Sequence, residues 1–263
     1  CSEGNAGRHH RPKAERAGTS SPPLVKPRLD RIAEQARAYP EMAFTTLAHH
    51  LDVAMLERAF WGLNSRSAAG VDRVTWRDYK RNLETNLEDL HERLKNRTYV
   101  PQPVQRQWIS KSNGKLRPLG LPALEDKVVA KSVALLLEQI YEQDFYDFSY
   151  GFRPGRSCHQ ALHDSRQGML DGVNWVIDCD VKSFFDNLGH DELLTILRKR
   201  VKDGRLLKLI EMWLKAGIMD GKDLVFPEKG SPQGSLISPL LANVYLHEVL
   251  DTWFAEVGKA HCA

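Results

Sequence analysis

Apolar residues recur along this chain at two spacings, and each spacing predicts its own elements. Ile32, Ala36, Phe44, Leu47, Leu51, Met55 and Leu56 return every three or four positions, which predicts helix between 29 and 63, with Pro40 dividing it in two. The small residues of 65–72, Ser-Arg-Ser-Ala-Ala-Gly-Val-Asp, read as a loop. Tyr79, Leu83, Leu87, Leu90 and Leu94 share one face of a further helix. Residues 104–109 look extended, and Asn113-Gly114 then turns the chain back through 116–119 as a hairpin. Asp126 is placed to cap a long helix to about residue 143, carrying Val129, Val133, Leu136, Leu137 and Ile140. Ser157 is placed to cap another, to about residue 170.

Residues 173–181 alternate and give the clearest strand: Val173, Trp175, Ile177, Cys179 and Val181 on a buried face, Asp178 and Asp180 on the other. Helices follow over 190–202 and 205–216, a second hairpin around Asp220-Gly221, and a last helix over 239–254. Helices and antiparallel strands alternate irregularly, so the expected class is α+β rather than a doubly wound sheet.

With 263 residues, 42% of them hydrophobic and 27% charged, the chain can build a real core in one large or two small domains. A net charge of +3 leaves the distribution of charge, not its total, to identify partners. No apolar run approaches the roughly 20 residues of a membrane span, and residues 1–30 lack the apolar centre of a secretory signal. Cys1, Cys158, Cys179 and Cys262 form no Cys-x-x-Cys pair, which argues against a zinc knuckle and fits a reducing cytosol. His159 and His163 stand one helical turn apart, but with no third ligand nearby they read as ordinary helix residues. Residues 1–28 hold four of the thirteen prolines and six Lys/Arg against two Glu, a disordered basic leader. A first residue Cys1 rather than Met, and an abrupt end at Ala263, read as a piece of a longer protein.

Charge is concentrated between 93 and 118, where Arg93, Lys95, Arg97, Arg106, Lys111, Lys115 and Arg117 meet no acidic residue and interleave with Tyr99 and Trp108. Such a hairpin can hold phosphates. It is equally what a solvated edge hairpin, guarded by lysine, looks like. Carboxylates at the end of a buried strand repel one another without a cation, and hard oxygen ligands suit Mg²⁺, so Asp180 is a candidate metal ligand. Asp186, followed by Asn187, reads as turn chemistry. In 230–240, glycines flank Ser-Pro-Gln and let backbone approach a ligand, although composition alone gives a plain loop before a helix opened by Pro239.

Four segments in this order carry a resemblance. Residues 109–122 (Ile-Ser-Lys-Ser-Asn-Gly-Lys-Leu-Arg-Pro-Leu-Gly-Leu-Pro) resemble the fingers hairpin of group II intron-encoded reverse transcriptases. Residues 148–157, with Gly-Phe-Arg-Pro-Gly-Arg, resemble a block characteristic of bacterial members. Residues 180–187, Asp-Val-Lys-Ser-Phe-Phe-Asp-Asn, resemble the first catalytic palm motif, and 230–243 resemble the Pro-Gln-Gly block after it. Ala69-Gly70-Val71-Asp72 and the stretch leading into it resemble the N-terminal extension.

The resemblance implies a right-hand polymerase fold of α+β class: helical fingers with a β-hairpin, and an incomplete palm with an antiparallel sheet. The N-terminal extension and fingers would span 29–170 and a partial palm 171–263. It implies an RNA-directed DNA polymerase. Asp180 would be the catalytic, metal-binding aspartate and the Val181 carbonyl would face the same metal. Phe185 would be an aromatic gate beneath the incoming sugar. Lys111 and Arg117 would contact the triphosphate, and Gln233 would lie along the nucleotide pocket. Arg106, Lys115, Arg153 and Arg156 would contact nucleic acid. Two Mg²⁺ ions would serve as cofactors.

The implied partners are a structured intron RNA template, a DNA primer or target and deoxynucleoside triphosphates, in a bacterial cytoplasm. An intron-RNA-binding maturase and a CRISPR-associated reverse transcriptase are the alternatives. The sequence departs from the pattern in lacking the Tyr-Ala-Asp-Asp hairpin that supplies the remaining carboxylates, so residues 1–263 alone are expected to be inactive. Two placements follow: Trp175 covered within the protein, and Lys111, Lys115 and Arg117 lining the cleft that Asp180 faces.

Overall fold

The computed structural model describes residues 25–110, 114, 116–173, 175–230 and 234–258. Helix α1 (Val25–Ala38) buries Val25, Leu29, Ile32 and Ala36, one face at helical spacing. It starts inside the stretch expected to be leader, because Val25 already belongs to that face. After a 3₁₀ turn at Ala48–His50, α2 (Val53–Trp61) starts where the Asp52 side chain accepts from the Met55 amide. Thr75 and Asp78 form a reciprocal capping box at α3 (Trp76–Lys80), which leads into α4 (Leu83–Lys95).

Helix α5 (Leu124–Tyr141) is the centre of the molecule: thirteen of its eighteen residues are buried, and α1 and α2 pack against it. Asp126 does not cap it. Ala123 holds the cap position, and Asp126 sits buried in the first turn, accepting from the Tyr99 hydroxyl at 2.5 Å and the Gln102 amide at 3.0 Å. Burial pushes the Asp126 carboxyl up to about 6.

Strands β1 (Val104–Ser110) and β2 (Leu116–Leu121) form the first hairpin, and β3 (Ile218–Asp220) and β4 (Asp223–Val225) the second. They make one sheet in the order β2-β1-β3-β4. The expected antiparallel sheet is in fact mixed. Each hairpin docks by its first strand, so β1 and β3 run parallel, with Val104 opposite Ile218 and Gln105 opposite Met219. One hydrophobic core runs from Val25 to Val244, across the expected division at 170/171.

Helix α6 (Cys158–Leu170) is capped as expected, Ser157 accepting from the Gln160 amide, but none of its residues is buried. The strand expected over 173–181 does not form among the described residues, and Trp175 is 90% exposed rather than covered. The alternation is present, but a strand is held by a neighbour's N–H and C=O groups, and none of the four strands pairs with this segment. The short α7 (Phe184–Asn187) follows, then α8 (His190–Arg200), α9 (Gly204–Leu214) and α10 (Ser238–Leu246), which continues in π-helical turns at His247–Asp251 and Phe254–Gly258.

Arg200 locks the far end of α8. It donates to both Asp144 oxygens at 2.8 and 3.0 Å and to the carbonyls of Met42, Tyr39 and Ala36. A buried guanidinium thereby ties the Ala36 carbonyl at the end of α1 to two carbonyls of the loop that follows.

Candidate functional site

A cavity of about 210 Å³ lies where three of the sequence motifs meet. The first hairpin supplies Arg106, Leu119 and Gly120, the turn of α7 supplies Phe185 and Asp186, and the stretch before the glycine block supplies Lys229 and Gly230. Close packing sets this junction. Gly230, at φ +93, leaves no room for a side chain: a Cβ there would stand 2.9 Å from the Phe185 and Asp186 carbonyl oxygens. The Gly230 amide donates to the Leu188 carbonyl at 2.8 Å, and buried His190 bonds the Gly230 carbonyl through Nε2 at 2.7 Å. Gly234, at φ +111, would place a Cβ 2.3 Å from the Gly120 carbonyl. Gly230 is thus held against the α7 turn and Gly234 against the end of β2, and both glycines are required by the approach of backbone.

Phe185 is half-buried beside Phe184, which packs on Tyr245 of α10. Ser183 enters α7 in left-handed backbone, φ 51. Arg106 lines the cavity but is already paired, with Asp220 at 3.1 Å, and Trp108 donates to the same carboxylate at 3.3 Å. The parallel β1–β3 register brings these together. Asp220 read only as a turn residue in the sequence, because nothing local announces that its hairpin lies beside the first. Lys229 also went unmarked; its place just before a crowded glycine was the available signal.

Arg117 is exposed on β2. Asp180 and Val181 are exposed and do not line the cavity. Lys111, Lys115 and Gln233 lie outside the described residues. Arg153, expected to face nucleic acid, is turned inward: it donates to Glu142 at 3.1–3.3 Å and to the Tyr146 and Ser149 carbonyls at 2.7 and 2.8 Å. Its donors staple the loop before α6, so a phosphate contact from it is withdrawn. Arg156, half-buried, pairs with Asp147 and lies over the Tyr150 ring.

Among the described residues no three His, Cys, Asp or Glu side chains gather as a metal-holding group. Asp180 on an unpaired segment does not by itself fit a two-ion site. Among the described residues, no helix is long and apolar enough to cross a membrane.

Residues 109–263 match the reverse transcriptase (RNA-dependent DNA polymerase) family. The chain is 37% identical over 225 residues to the group II intron-encoded protein LtrA of Lactococcus lactis subsp. cremoris, covering 84% of this chain and 37% of the relative. It is 40% identical over 200 residues to protein YkfC of Escherichia coli (strain K12), covering 74% of this chain and 52% of the relative. The chain thus spans between about a third and a half of the length of these relatives. A solved chain of a partial Cas6-RT-Cas1--Cas2 complex superposes with a TM-score of 0.50 at 23% identity, over 80% of this chain and 34% of that one, a likeness of fold alone. On the family match and the relationship to LtrA, the chain belongs to the group II intron-encoded reverse transcriptases.

Proposed function

We propose that this chain is the nucleotide-facing part of an RNA-directed DNA polymerase of group II intron type, extending a DNA primer on an intron RNA template in the bacterial cytoplasm. The observation that supports it is the 210 Å³ cavity at which the hairpin, the Phe185 turn and the glycine block converge, three segments far apart in sequence. In this reading 29–170 form the N-terminal extension and fingers, and the palm begins near 171. Phe185 lies beneath the sugar and bars a 2′-hydroxyl. Lys111 and Arg117 hold the triphosphate, and Gln233 borders the nucleotide. Lys115 and Arg156 meet template phosphates, and Arg106 braces the hairpin through Asp220. Asp180 and the Val181 carbonyl are assigned to Mg²⁺, with the remaining carboxylates supplied by a segment outside this chain.

The test is primer extension by a longer parent protein that includes a Tyr-Ala-Asp-Asp hairpin. Asp180→Asn is expected to abolish synthesis with RNA binding nearly intact, and Phe185→Ala to admit ribonucleotides; residues 1–263 alone extend nothing. Extension at normal rate by the Asp180→Asn protein sinks the assignment. RNA affinity of the 263-residue chain should also fall steeply with salt, since phosphate contacts release counterions.

A further inference from the structure

Between the end of α4 and the start of α9 the surface opens into a groove of about 1050 Å³, which shares no lining residue with the cavity above. Its floor is apolar, with Leu94, Leu209 and Met212. Its rim is basic, with Lys95 and Arg97 on one side and Arg205 and Lys208 on the other. Asp203 is the one carboxylate in the lining, and it is spent on four backbone amides, those of Leu47, Ala48, Arg205 and Leu206, at 2.5–3.2 Å. Lys95 and Lys208 have carboxylates on their own helices, Glu92 at 3.3 Å and Glu211 at 3.1 Å. Arg97 and Arg205, both exposed, make no ion pair with any described residue.

Arg97 holds left-handed backbone, φ 60, just past α4, while the Thr98 and Tyr99 amides bond back to the Arg93 carbonyl at 2.9 and 3.1 Å. Glycine is the residue that fills this position without strain. Arg97 occupies it nonetheless, at the edge of the groove.

We infer that the groove binds an acidic amphipathic segment of a partner protein, its apolar face on the floor and its carboxylates against Arg97 and Arg205. Charge complementarity selects this occupant. A nucleic acid backbone satisfies the rim but brings nothing apolar to Leu94, Leu209 and Met212, whereas an amphipathic helix covers both at once. Methionine adapts to varied apolar side chains. The chain's own residues 1–24 carry four Lys/Arg against two Glu, the wrong sign for this rim.

The experiment is fluorescence anisotropy of the 263-residue chain with a labelled helical peptide carrying leucines on one face and glutamates on the other. The controls are the same peptide with lysine for glutamate, and a single-stranded uridine oligonucleotide as competitor. The acidic peptide is expected to bind with a dissociation constant of order 10 µM, tighter at low salt, and the lysine peptide not at all. Arg97→Gly combined with Arg205→Ala should weaken it about tenfold, two rim pairs being lost. Arg97→Gly alone keeps a thermal midpoint at or above the parent's, which separates loss of binding from loss of fold. Equal binding of both peptides, or an affinity unmoved by the double substitution, overturns the inference. So does an oligonucleotide that binds through Arg97 and Arg205 and that the acidic peptide does not displace.

Discussion

Helices α5 and α6 both carry apolar side chains, α5 many more of them than the largely polar α6. Helix α5 buries thirteen of its eighteen residues, while α6 buries none and leaves Leu162, Met169 and Leu170 in solvent. Local chemistry explains why both are helices: α6 has its Ser157 cap and a Gln167–Asp171 bond one turn apart. Local chemistry does not bury a helix. Helix α5 has α1, α2 and α10 against it, whereas α6 and the segment after it lack an opposing surface among the described residues. Helix formation and burial are thus separate events here, and the packed half and the open half should respond differently to the same substitution.

The largest contrast should come from removing the same side chain in each half. Leu136→Ala, at a fully buried site, is expected to cost about 2–5 kcal/mol, because transfer free energy is lost and a cavity remains. Leu162→Ala, 65% exposed, should cost less than about 0.5 kcal/mol. Urea denaturation of the two variants measures this, and equal costs would erase the distinction between the halves.

Arginine repeats the comparison with charge. Arg200→Ala leaves Asp144 buried without its partner, and burial already raises the Asp144 pKa despite the ion pair. A loss of about 3–5 kcal/mol is expected. Arg156→Ala breaks a pair whose Asp147 side chain is almost wholly in solvent, and should cost no more than about 1 kcal/mol. Next in size is the cap of α6. Ser157→Ala should weaken that helix by about 1 kcal/mol, seen as faster amide exchange over α6 with exchange in α5 unchanged.

The same contrast governs what the sequence made legible. Caps, turns and helical periodicity are written within a few residues, so Ser157, Asp220-Gly221 and the face of α5 could be read directly. Whether residues 173–181 become a strand depends on a partner strand, and alternation carries no information about one. Arg153 and Arg200 look like any other arginine in sequence; their inward donors are set by carbonyls that only the fold gathers. In the candidate site, Phe185 and the two glycines were marked by motif, but that they share a cavity with Arg106 follows from the parallel β1–β3 pairing.

The smallest effect sharpens the comparison by pH, since half-buried His50 and buried Asp126 of the packed half titrate in opposite senses. His50 is pushed down from 6.5 to about 4 by burial, then by its neighbours His49 and Arg28, and its Nδ1 has no hydrogen-bond partner among the described residues. Between about pH 6.5 and 4 the unfolded chain therefore binds the proton that folded His50 refuses, and stability falls as pH falls. Asp126 is pushed up by burial from 3.8 to about 6, so the folded chain holds the extra proton and stability rises as pH falls through that window. The two slopes oppose each other between about pH 6 and 4. Taken as variant minus parent, His50→Gln should gain stability from pH 7 to pH 5, and Asp126→Asn should lose it, both followed by urea midpoints at each pH. Matching signs for the two differences would mean that burial of these groups does not set the acid response.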